Sequence, residues 1–236
     1  MNFRKLSLFF LFTFLFSCKE NVKEKATPKC DVEVKTNNGK LCIPVIGSLI
    51  NGNSNETVKN VVRLFENEDS KTFAFYIDEE SFQKISTSKI NYADKNSVTE
   101  ALNEFYYLYQ TNNLINVEPS DDAKEKLDSF FVNNYSIFKK ESGETYDSVF
   151  DRIDFDKTYL VDSFRNIKIG NANSYMLIFK TAINNKELKL INIVTPIVLN
   201  NRIYIMSYNK KYRGLLSDFE AKERADYINE QLSEKN

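Results

Sequence analysis

"KTYLVDSFRNIKIGNANSYMLIFKTAINNKELKLINIVTPIVLNNRIYIMSY", residues 157–208, is built from β-branched and aromatic segments separated by Gly170-Asn171, Asn184-Asn185 and Asn200-Asn201. Glycine and asparagine tolerate the positive φ of tight hairpin turns, and loops this short join antiparallel neighbours, because a parallel crossover needs a dozen or more residues. The stretch therefore predicts a four-stranded antiparallel meander. Pro196 has no N–H to give to a sheet ladder, which puts its strand at an edge, at a bulge or at a break.

Toward the C-terminus, Ser217 and Glu220 read as a capping box. The helix they open carries Ala221, Ala225, Ile228 and Leu232 on one face. Toward the N-terminus, DVEVK and KLCIPV flank Asn38-Gly39, a strong hairpin signal. A helix follows over about 55–66, with Val58, Val61, Val62 and Phe65 on one face, and then KTFAFYI alternates Phe73, Phe75 and Ile77 as a strand does. Asp78 is placed to cap a short helix holding Phe82 and Ile85. Ser97 and Glu100 form a second capping box, and Val98, Ala101, Leu102, Phe105, Leu108 and Tyr109 keep a helical period behind it. A further helix over about 120–141 carries Leu127, Phe130, Phe131, Asn134, Ile137 and Phe138, and stops at Ser142-Gly143. Helices segregated from an antiparallel sheet make the class α+β, with the N-terminal hairpin region and the C-terminal meander supplying the strands.

This order of elements over residues 31–234, from the hairpin through GKLCIPVIGSL, FAFYI and the inserted helices to NRIYIMSY and the terminal helix, resembles the PsbP-like α/β/α sandwich. That family includes photosystem lumenal proteins and other accessory modules, generally binders. The resemblance implies a non-catalytic role and carries over no functional residue.

The chain opens on MNFRKLSLFFLFTFLFSC: Arg4 and Lys5, no acid, then an apolar block from Leu6 to Phe16. The layout is that of a secretory signal peptide over residues 1–17. Its apolar block is well short of the roughly 20 residues a membrane-spanning helix needs. Leu15-Phe16-Ser17-Cys18 resembles the lipobox of bacterial lipoproteins, which implies cleavage before Cys18 and a diacylglyceryl thioether on its sulfur. A thiolate is the nucleophile such chemistry requires. Two or three acyl chains, at about 0.8 kcal/mol per buried methylene, give a stable membrane anchor. The following KENVKEKATPK is too charged to bury a core, so residues 18–30 read as a lipidated tether ahead of one domain spanning 31–236. Neither aspartate nor a double acid stands directly behind the cysteine, and the expected location is the outer membrane, with the leaflet open.

With Arg4 and Lys5 gone, 30 basic residues face 33 acids, a net of about −3, so no basic face exists for nucleic acid. The absence of histidine removes Ser-His-Asp and Cys-His catalysis and the usual imidazole zinc ligand. Six scattered glycines form no phosphate-binding loop. Two thiols besides Cys18 are too few for an all-cysteine metal site, so no metal and no cofactor are expected.

Cys30 and Cys42 are natural disulfide partners in an oxidising compartment. Geometry conflicts with this pairing. If Asn38-Gly39 is the two-residue turn, Cys42 faces Lys35, and Cys30 lies five residues, or about 17 Å, further along. Either the register or the bridge must yield, unless the chain before Asp31 folds back. Asp147, Asp151, Asp154 and Asp156 invite a calcium reading but lack loop spacing and a glycine, which favours a solvated connector. FYYLY, residues 105–109, reads as core with only Tyr106 and Tyr107 left over for a ligand platform. No catalytic residue emerges. The expected function is a membrane-anchored, non-catalytic accessory or binding module that holds another envelope protein or a ligand; the alternative is an envelope hydrolase using carboxylate, lysine or tyrosine chemistry.

Overall fold

The computed structural model describes residues 30–36, 39–64, 66, 69–87, 90, 95–115, 117–153, 160–183 and 186–236. The leader, Cys18 and the tether lie outside the described residues. A hairpin of β1 (Val32–Thr36) and β2 (Gly39–Ile43) leads to β3 (Leu49–Asn51), α1 (Glu56–Val62), β4 (Ser70–Asp78), α2 (Glu79–Thr87) and α3 (Lys95–Ala101). Then come β5 (Glu104–Thr111), α4 (Asp121–Tyr135), α5 (Tyr146–Ile153), β6 (Leu160–Ile169), β7 (Ala172–Ile183), β8 (Lys186–Leu199), β9 (Arg202–Lys211) and α6 (Ser217–Lys235). The hairpin is a separate two-stranded sheet. The other strands form one antiparallel seven-stranded sheet in the order β3-β4-β5-β9-β8-β7-β6. The fold is α+β, and the meander is β6 to β9.

Alternation across the sheet builds two apolar layers. On one face Tyr76, Tyr106, Tyr208, Ile193 and Met176 follow one another across five strands. They are buried under the hairpin and under Ala221, Ala225, Ile228 and Leu232 of α6. On the other face Phe75, Ile77 and Phe105 pack against α1, α2 and α3, while Tyr175, Leu177, Val194, Ile203 and Ile205 pack against α4 and α5. Each fully buried aliphatic side chain contributes roughly 1.5–3 kcal/mol, and burial on both faces explains why the central strands lack polar alternation.

Several local expectations are corrected. The helix expected over 97–109 ends at Ala101, and Glu104–Thr111 is the strand β5, paired with both β4 and β9. Asp78 Oδ2 accepts the Glu104 N–H at 2.9 Å and Ser81 Oγ accepts the Asn103 N–H at 2.7 Å, so two N–H groups that would continue α3 are captured by α2's first turn. FYYLY then alternates Phe105, Tyr107 and Tyr109 against Tyr106 and Leu108. The hairpin pairs Thr36 with Gly39, so Gly39 is a strand residue of β2 and Asn38-Gly39 is not the two-residue turn.

Ser217 does not form the expected capping box. Its Oγ accepts the Arg213 N–H at 2.8 Å, and Glu220 pairs with Lys210 at 2.9 Å. The helices expected at 55–66 and 120–141 are shorter, Glu56–Val62 and Asp121–Tyr135, with Asn55 and Ser120 accepting N–H bonds at their starts. Pro196 lies in a strand that pairs with β7 along 186–194 and is flanked on both sides along 190–194, but keeps only β9 as neighbour from Thr195 onward.

Candidate functional site

That loss of a neighbour opens the molecule. The pairing of β7 with β8 ends at Tyr175 and Val194, after which β7 follows β6 to the Gly170-Asn171 turn and β8 follows β9 to Leu199. Between the diverging strands lies a cleft of about 980 Å³, bounded by residues 170–173, by 196–198, by the outer side of α6 and by Leu127 and Asp128 of α4. Because α6 turns Ala221, Ala225, Ile228 and Leu232 to the core, Glu223, Asp226, Glu230 and Glu234 form a second stripe at steps of three and four residues, facing the cleft. Gly170 has φ of +55°, and a Cβ there would lie 2.8 Å from Asn229 Nδ2, so a glycine lets the turn approach the helix.

Five carboxylates line the cleft, those of Asp128, Glu223, Asp226, Glu230 and Glu234, and no lysine or arginine is among the lining residues. Asp226 is engaged twice, accepting the Gly170 N–H at 2.8 Å and pairing with Lys222 at 2.5 Å. Asp128 accepts from Asn173 Nδ2 at 3.0 Å, and Glu234 from Gln231 Nε2 at 3.3 Å. Glu223 and Glu230 make no hydrogen bond or ion pair among the described residues. The floor is apolar: Leu127, Pro196, Ile197, Val198 and Tyr227, of which Val198 and Tyr227 are 43% and 42% exposed. Among the described residues no three carboxylates or thiols converge as metal ligands.

Elsewhere, the cation most loosened from its proton is Lys211, whose pKa is lowered first by burial and then by Lys84 and Arg213. Its Nζ donates to the Glu100 carbonyl at 2.5 Å and to Asn103 Oδ1 at 3.0 Å, so it closes the end of α3 and faces no nucleophile. Tyr106 and Tyr109 are raised well above the ordinary phenol value, mainly by burial, and stay protonated.

Cys18 is outside the described residues. Cys30 and Cys42 are joined, with Cα atoms 5.4 Å apart. Both premises of the geometric objection differ. The register sets Cys42 opposite Glu33, and the chain before β1 bends back, with Asp31 accepting the Val45 N–H at 3.2 Å and pairing with Lys235 at 3.6 Å. Asp147 and Asp151 lie on α5, while Asp154 and Asp156 fall outside the described residues. Of FYYLY, Phe105, Tyr106 and Leu108 are buried and Tyr107 and Tyr109 half-buried, so no stacking platform is presented. The cleft itself was missed. Its acidic stripe on α6 is readable at helical spacing, whereas the strand segment opposite is not.

No family model matches this sequence, and no curated protein matches it. A solved structure described as the crystal structure of LpqN, involved in cell envelope biogenesis of Mycobacterium tuberculosis, is similar at a TM-score of 0.29 and 10% identity, over 70% of this chain and 78% of that one. A likeness at that score carries no argument about this chain.

Proposed function

We propose that this protein is an exported lipoprotein, anchored through Cys18 at the outer membrane, whose folded part is a non-catalytic binding module for another envelope protein. The observation that carries the binding reading is the parting of β7 from β8. It leaves residues 195–199 with a strand on one side only, beside a cleft with an apolar floor and acidic walls. An extended segment adding alongside an open strand edge gains main-chain hydrogen bonds, while flanking pockets select its side chains. Carboxylates on the walls select lysine or arginine in that segment, and they reject acidic competitors.

The test uses the lipidated protein in its own envelope with a photo-crosslinking residue at Val198. The expected result is one defined envelope protein, joined through an extended segment rich in lysine or arginine, with the adduct lost in Glu223→Lys/Glu230→Lys. An adduct indifferent to that charge reversal, or hydrolysis of an envelope component by the purified protein, overturns the binding reading. Mass spectrometry of the N-terminal peptide addresses the anchor separately: an unmodified Cys18 removes it.

A further inference from the structure

At the end of the sheet away from the cleft, the chain leaves β9 through Tyr212-Arg213-Gly214-Leu215-Leu216 and enters α6. Leu215 is 91% exposed, Leu216 69% and Phe219 59%. Nothing in the fold requires these side chains to be apolar. The turn is fixed by Ser217, which is buried, accepts the Arg213 N–H through its hydroxyl and donates its own N–H to the Gly214 carbonyl at 3.0 Å. Three large apolar groups within five residues, on a convex tip, therefore serve something outside the domain.

The neighbouring charge indicates what that is. Lys210, Lys211 and Arg213 immediately precede the leucines. Lys210 is paired with Glu220 and Lys211 is held by backbone and amide oxygens, whereas Arg213 makes no ion pair among the described residues. An exposed apolar tip with the unpaired Arg213 beside it fits a yielding, negatively charged bilayer interface, with leucine and phenylalanine below the headgroups and arginine among the phosphates. Among the described residues no helix is long and apolar enough to cross a membrane, so the contact is interfacial.

We infer that the Leu215–Phe219 tip is a second, peripheral contact with the membrane that carries the anchor, fixing the orientation of the domain; this rests on the lipoprotein reading above. The reach is sufficient. The chain enters the fold at Cys30, bonded to Cys42, which Asn236 brackets with two 2.7 Å hydrogen bonds, so entry is near the C-terminal end of α6 and the tip is at its start. Nineteen helical residues span about 28 Å. The eleven residues between Cys18 and Cys30 extend to at most about 40 Å. An anchored domain can therefore lay its tip on the bilayer at any tilt of α6 while its cleft, at the opposite end, stays accessible.

The chain has no tryptophan, so Leu215→Trp supplies a single fluorescent reporter at a position whose side chain the fold does not use. The lipidated protein carrying it is reconstituted into protein-free vesicles of zwitterionic lipid alone or with an anionic lipid added. The expected result is a blue-shifted emission, quenched by brominated acyl chains, stronger with anionic lipid and weakened by Arg213→Gln. Phe219→Trp is expected to report the same shift. A water-like, unquenched emission from both reporters, in protein whose Cys18 mass proves it lipidated, overturns the inference while leaving the anchor intact. Shielding seen only in native envelopes and never in protein-free vesicles assigns the tip to a protein partner and overturns it as well.

Discussion

Asp78 joins two elements through one carboxylate. It accepts the Ser81 N–H at 3.0 Å and the Ser81 hydroxyl, which starts α2, and the Glu104 N–H at 2.9 Å, which starts β5. Asp78→Ala strands a buried serine hydroxyl and a backbone donor, and the expected loss is about 2–3 kcal/mol in urea unfolding. Asp78→Asn keeps an acceptor and is expected to recover part of it; equal losses would show that the second acceptor oxygen matters as much as the first. Gly52 is constrained by space: a Cβ would lie 2.4 Å from Cδ1 of Phe75, whose ring is fully buried and cannot yield. Gly52→Ala is expected to cost about 1–3 kcal/mol through overpacking, measured the same way. Asp218 titrates as a depressed carboxylate, held down chiefly by its hydrogen bond from Arg165 at 2.6 Å. Its contribution is present above the ordinary aspartate pKa of about 4 and is lost as pH falls below that value. Since the pair is largely solvated, Arg165→Met should cost no more than about 1 kcal/mol at neutral pH, with the difference from wild type vanishing in acid. The capping half of Asp78 was legible, an acid directly before a helix. The Glu104 half was not, because its donor is 26 residues away.

The element that sequence periodicity misassigned is β5. Phe105, Leu108 and Tyr109 satisfy a helical stripe, yet in a strand covered on both faces every position is apolar, so the same residues satisfy the strand as well. What decides is pairing on both sides, Leu108 sitting between Ala74 of β4 and Met206 of β9. Leu108→Ala is expected to cost about 2–5 kcal/mol. Hydrogen exchange should show the amides of 105–109 as protected as those of β9; fast exchange there would disprove the strand. The meander, by contrast, was legible because each turn carries its own Gly or Asn signal, and both Asn200 and Asn201 do adopt positive φ. The core stripe of α6 was legible too, since its alanines recur at helical spacing. β3, three residues long, offers no periodicity to read.

At the scale of the molecule, the cleft could not be read, because α4, the β6–β7 turn, the end of β8 and α6 meet there only once the sheet has parted. The strand part of its floor, Pro196 to Val198, looks residue by residue like ordinary strand. The Cys30–Cys42 bridge is a whole-molecule feature of the same kind: read along the chain it conflicts with the hairpin, and it closes because the chain folds back ahead of β1. It ties the point where the chain enters the fold to β2, and Asn236 ties β2 to the end of α6 through both the Cys42 N–H and its carbonyl. A pull on the chain ahead of Cys30 is therefore delivered into α6, the longest of the described helices, and not into a free hairpin. Closing a loop of about a dozen residues removes unfolded-state entropy worth roughly 3 kcal/mol. The double variant Cys30→Ser/Cys42→Ser is accordingly expected to unfold at lower urea by about that amount. Exchange should quicken first in the hairpin amides, because β1 and β2 pair with no strand of the seven-stranded sheet and keep their place through Leu41, Ile43, side-chain hydrogen bonds from Asn200 and Asn236, and the bridge. Uniformly quickened exchange across the central strands would mean that the bridge supports the whole fold. Unchanged stability would mean that the two thiols are free.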